Sequence, residues 1–185
     1  MEAKCSFSGI VGGSCTYERR DRGKNTEVIP LLHCNREIAG HKSTWKIADV
    51  ETEVELILAR ASIFNFPENI SQLTICPYHR SSLGIGWRSG SQRCQIPRDL
   101  SNHSDERKWP RGERGLGKIG SNFVYQKTGV FVPVGSGVCR NCRVLLAKME
   151  SKEEPEAERE ATTEEFVDDT GVLFPMENLS LTQAM

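Results

Sequence analysis

Seven cysteines punctuate this chain, at positions 5, 15, 34, 76, 94, 139 and 142, and three of them sit in two pairs with metal-ligand spacing. Cys76-Pro77-Tyr78-His79 is C-x2-H, and Cys139-Arg140-Asn141-Cys142 is C-x2-C. Two intervening residues let one tight turn aim both side chains at a single ion, and zinc takes four such ligands in a tetrahedron. An odd cysteine count fits a disulfide framework poorly. The start, Met1-Glu2-Ala3-Lys4-Cys5, also lacks the apolar stretch of a secretory signal. The spacing therefore predicts that Cys76, His79, Cys139 and Cys142 converge on one Zn²⁺, although 59 residues separate the pairs. Cys94 lies between them and is an alternative to His79. Free cysteines are also among the most buried residue types, so core thiols are the competing reading.

A second group precedes these. Cys5, Cys15, Cys34 and His41 follow C-x9-C-x18-C-x6-H, a complete zinc shell of three sulfurs and one nitrogen. It contains no tight pair, His33 competes with His41, and Cys94 could belong here instead. One ion or two both remain open.

Gly135-Ser136-Gly137 precedes Cys139, and the good helix formers of Arg143–Lys148 follow it, which places the second pair at the start of a helix. Phe123, Tyr125, Val130, Val132 and Val134 alternate around Lys127-Thr128-Gly129 and predict a hairpin. A knuckle, a hairpin and two ligands at a helix start resemble a treble-clef zinc domain over about 76–148. That resemblance implies a fold and no particular activity. The clearest helix is expected over 46–63, where Ile47, Val50, Val54, Ile57, Leu58 and Ala61 form one apolar stripe. The stripe reads as core, packing the N-terminal segment onto the zinc module. No internal repeat is visible in the residues.

Charge divides the chain more sharply than hydropathy does. Residues 71–147 carry 12 basic and 4 acidic side chains, and residues 148–185 carry 3 basic and 11 acidic, within a formal net charge of -1. A basic middle of this kind expects an anionic partner or an acidic tail that screens it. The stretch 84–120 is Gly- and Arg-rich and reads as a long loop. It presents Arg88, Arg93, Arg98, Arg107, Lys108, Arg111 and Arg114, with Trp87 and Trp109 interleaved. Arginine binds phosphate bidentately and tryptophan can stack on a base, so this loop is the expected nucleic-acid contact; a solvated loop whose tryptophans cover the core is the alternative. Two phosphate motifs are rejected. Gly112–Lys118 matches G-x4-G-K but has Ile119 where Ser or Thr belongs, and Gly115–Gly120 matches G-x-G-x-x-G without a preceding apolar strand.

The Glu-rich residues 148–170 have no core pattern and should be disordered, with apolar Phe166, Val172, Leu173, Phe174 and Met176 beyond them as a segment for a protein partner. The expected architecture is α+β: residues 1–70 with the amphipathic helix, packed on a basic zinc-binding module over 71–147, and then the tail. No apolar run approaches a membrane span, and no Ser-His-Asp, Cys-His or H-E-x-x-H set can be assembled. A non-catalytic zinc-finger-like module that contacts nucleic acid is expected, intracellular and nuclear in preference to cytoplasmic. A zinc-stabilised protein–protein adaptor is the alternative.

Overall fold

The computed structural model of the chain describes residues 4–101, 103 and 109–153. Among these the architecture is α+β, short helices joined to two small antiparallel ladders. The compact unit is Met1–Ser151. The expected tail falls, over 154–185, outside the described residues, as do Arg107 and Lys108.

The architecture grows from one repeated arrangement. Helix α1 (Phe7–Ile10) follows Cys5, and an irregular arm leads to strand β1 (Ile29–Pro30). Helices α2 (Ala39–Trp45) and α3 (Glu53–Arg60) come next, and strand β2 (Thr74–Ile75) then pairs back on β1, with Ile29 opposite Ile75. The residue after β2 is Cys76, which caps helix α4 (Pro77–Leu83). The second half runs likewise. Strand β3 (Arg114–Gly115), helix α5 (Lys118–Thr128) and strand β4 (Gly137–Val138) follow Cys94, with Arg114 opposite Val138. Cys139 follows β4 at once, and helix α6 (Arg140–Glu153) begins beside it. Each ladder thus delivers a ligand pair to a helix start. The repeat is one of element order and not of residue identity, so the sequence does not show it.

Helix α3 is shorter than the expected 46–63. Lys46 turns left-handed at φ 53° and ends α2, and Thr52 restarts the chain as a helix, its side chain accepting from the Glu55 amide. The stripe is core, as its periodicity implies. Val54, Ile57, Leu58 and Ala61 pack with Phe7, Leu31 and Ile75 around Cys5 and Cys76. Leu56 and Ala59 face Ile38, Ile47, Val50 and Val134. A separate cluster of Ile96, Leu116, Phe123, Val124, Val132 and Leu146 surrounds Cys94, Cys139 and Cys142. Buried Arg60 joins the lobes. Its Nε donates to the Val134 carbonyl at 2.9 Å and its Nη1 to those of Leu83 and Gly84 at 3.0 and 2.7 Å. Its guanidinium lies 4.2 Å from the Trp87 ring.

The hairpin expected over 123–134 is not formed. Residues up to Thr128 are helical in α5, and Ser121, Phe123 and Val124 turn inward at helical spacing while Tyr125 stays exposed. Phe123 and Tyr125 share this helix and face different ways, and Val132 and Val134 lie in the stretch after it, in two different clusters. Gly129 closes α5 at φ 68°, its amide donating to the Tyr125 carbonyl. Helix α5 therefore takes the hairpin's place in the knuckle–hairpin–helix order. It also opens directly from the rejected glycine motif, but Asp49 already accepts from the Ile119 amide at 2.8 Å, so that helix start is occupied by a side chain.

Candidate metal centres

Two groups of four ligand atoms emerge, each set lying within 4.8 Å of one another: Cys5, Cys15, Cys76 and His79, and then Cys94, His103, Cys139 and Cys142. Either group could hold a metal ion.

In the first centre, β2 carries Cys76 into the start of α4, and Pro77 fixes the first helical φ so that His79 lies one turn on, beside its partner. His79 Nδ1 stands 3.1 Å from Cys76 Sγ, 3.5 Å from Cys5 Sγ and 3.8 Å from Cys15 Sγ. Tetrahedral zinc bonds to sulfur and nitrogen place such atoms about 3.5 Å apart. The other ring nitrogen, Nε2, lies 2.9 Å from the Gly12 carbonyl. A carbonyl only accepts, so Nε2 carries the proton and Nδ1 presents its lone pair to the thiols, as a second-shell contact does for a ligating imidazole. Amide donors already point at sulfur: Cys76 N–H to Cys5 Sγ at 3.3 Å and His79 N–H to Cys76 Sγ at 3.4 Å. Three of the four residues are buried, and Cys15 is exposed.

The second centre is built the same way. Cys94 is fixed by its amide donating to the Pro110 carbonyl at 2.8 Å. His103 Nε2 lies 3.1 Å from Cys142 Sγ and 3.6 Å from Cys139 Sγ. The Cys142 amide donates to Cys139 Sγ at 3.5 Å across the knuckle. Burial pushes the Cys76, Cys94 and Cys142 thiols up from their ordinary values. Thiols raised in this way stay protonated on their own, and a bound cation would deprotonate them.

The pairing read from spacing is therefore corrected. The C-x2-H and C-x2-C pairs fall in different groups, each completed by two residues nine or ten positions apart. Cys94 joins Cys139 and Cys142, without displacing His79. The physical reason is that β2 and β4 lie in separate sheets, so the knuckles they feed open in different lobes. The first centre also joins residues from both sides of position 70. Cys34 and His41 belong to neither group. Cys34 is buried in the first lobe, its thiol pushed up to about 11 by burial. His41 Nε2 lies 2.9 Å from Arg60 Nη2, and burial and Arg60 hold its pKa near 4. His33 is exposed in a short turn. His103 was missed because no tight pair flags it; Cys94-x8-His103 beside Cys5-x9-Cys15 is the signal that could have found it.

The expected nucleic-acid residues divide. Arg88, Arg93, Arg98, Arg111 and Arg114 are exposed. Trp87 is half-buried against Arg60 and lies edge-on to Trp45 at 5.0 Å. Trp109 packs 5.3 Å from the His103 ring, beside the second centre. Trp109 thus follows the alternative reading and covers internal structure, while half-buried Trp87 also lines an open cleft. Among the described residues, Arg88, Arg93, Arg111 and Arg114 have no carboxylate partner, and Lys46, Arg111 and Arg114 line a groove of about 350 Å³. No helix among them is long and apolar enough to cross a membrane.

No protein-family model, curated protein or solved structure matches this chain.

Proposed function

We propose that this chain is a non-catalytic binding module whose fold is held by two structural zinc ions and whose arginine-bearing face contacts nucleic acid. The observation that carries the metal reading is the recurrence, in both lobes, of four soft ligands at coordination distances on a ladder-plus-helix scaffold. Cysteine and histidine select zinc over magnesium or calcium, which prefer oxygen. Four protein ligands fill a tetrahedron and leave no open position for substrate, which favours a structural role over a catalytic one. Protein purified without added zinc is expected to carry two zinc equivalents per chain by mass spectrometry. One equivalent or none overturns the assignment.

Arg88, Arg93, Arg111 and Arg114 support the nucleic-acid reading. They are exposed, lack carboxylate partners among the described residues, and are anchored on the second zinc lobe or the loop leading to it. Arg93 and Arg111 bridge antiparallel, and Arg93 Nη1 donates to the Trp109 carbonyl at 2.7 Å, which fixes the array. Binding should weaken steeply with salt, with a log–log slope of about −3 to −4 for four phosphate contacts on duplex. Arg111→Ala/Arg114→Ala should reduce that slope by about 2. Negligible binding at low salt would favour the protein adaptor. An intracellular, nuclear setting accords with this reading.

A further inference from the structure

A second cleft lies between the arm that follows Cys15 and helix α4. Its volume is about 480 Å³, within the range of small-ligand sites. Arg19, Arg20 and Arg88 line it, with Ser81 and Ser82 on α4 and an apolar wall of Tyr78, Ile85 and Trp87. Arg19, Arg20 and Arg88 are exposed and have no carboxylate partner among the described residues. Among the described residues, the one acidic side chain lining it, Glu18, is already engaged by Arg36 at 3.2 Å. Cationic forks, hydroxyls and an aromatic wall in one cleft suit a ligand that joins a phosphate to a flat ring, and that is the chemistry of an unpaired nucleotide.

We propose that this cleft takes one unpaired nucleotide of a single-stranded nucleic acid, with phosphate on the three arginines and the base against the Tyr78–Trp87 wall. The inference rests on the nucleic-acid reading and adds to it the strand form and a second contact site. A duplex keeps its bases stacked inside and cannot offer one to this wall.

Both walls depend on the first metal centre. Cys15 holds the arm three residues before Glu18, and the Tyr78 amide donates to the Thr16 carbonyl at 3.1 Å. Cys76 and His79 hold the start of α4. Losing the first ion should therefore open the cleft while leaving the Arg111–Arg114 groove in place.

The test uses the full zinc-loaded chain and two fluorescein-labelled oligonucleotides, a single-stranded 12-mer and its duplex, at one salt concentration. Single strand is expected to bind about tenfold tighter than duplex. Arg19→Ala/Arg20→Ala should remove that preference, with duplex binding and two zinc equivalents retained; Arg111→Ala/Arg114→Ala should weaken both forms. Equal binding of the two forms by the parent chain, or an unchanged preference in Arg19→Ala/Arg20→Ala, overturns the cleft alone. No binding of either form overturns the nucleic-acid reading together with it.

Discussion

Glu53 shows how much a single buried side chain can be asked to do. Its carboxylate is fully buried yet accepts from Arg80 Nη2 at 2.6 Å, from Arg80 Nε at 3.0 Å and from the Arg36 amide at 2.8 Å. Charge taken out of water is tolerated because both carboxylate oxygens find donors. Glu53→Ala should cost about 3 kcal/mol in chemical denaturation, since it strands a guanidinium in a desolvated position. His41 carries a pH dependence. Its folded value is held near 4, below the ordinary value of about 6.5. The unfolded chain therefore binds the extra proton first, so stability present above pH 6.5 is lost as pH falls towards 4. His41→Gln should flatten that part of the melting-temperature profile; an identical profile would show that the imidazole is not the titrating group. At the second centre, Cys142→Ser should remove one zinc equivalent and spare the other, whereas a single shared ion would be lost outright.

At the scale of elements, the lobes are joined through α3. Arg60 satisfies three carbonyls from two segments, Leu83–Gly84 and Val134, and stacks on Trp87. Burial and the nearby Arg88 hold its pKa near 9, below the ordinary guanidinium value, yet it remains charged at neutral pH. Arg60→Ala should destabilise the chain by about 3 kcal/mol, because it leaves three buried acceptors short of a donor and opens a cavity. Arg60→Lys should recover little of this, since an ammonium cannot reproduce the planar fork. The second ladder is similarly intolerant. A Cβ on Gly115 would stand 2.2 Å from the Trp45 carbonyl oxygen, so Gly115→Ala must displace backbone.

For the chain as a unit, an ion in each candidate centre would outweigh any one contact. A buried leucine contributes about 2 kcal/mol, while structural zinc contributes about 10–16 kcal/mol of apparent binding energy that is realised only in the folded chain. Each lobe's apolar cluster includes its own ligand cysteines, so neither core is complete without its centre. A strong chelator should release two zinc equivalents and abolish the helical circular dichroism. Retention of the helical signal after complete metal removal would show that packing alone sustains the fold.

Spacing, periodicity and charge are local properties of the chain, so the candidate ligand types, the apolar stripe of α3, the helix after Cys139 and the exposed arginines were legible in the residues alone. Tertiary structure alone decided which ligands meet. Cys76 and Cys142 fall in different lobes because their strands pair with different partners, and Cys34, which looked like a ligand, points into a core. His103 gained its place from contacts that span 36 and 39 residues. Pairing of this kind is set by ladder register and lobe packing, for which neither ligand spacing nor helical periodicity carries a signal.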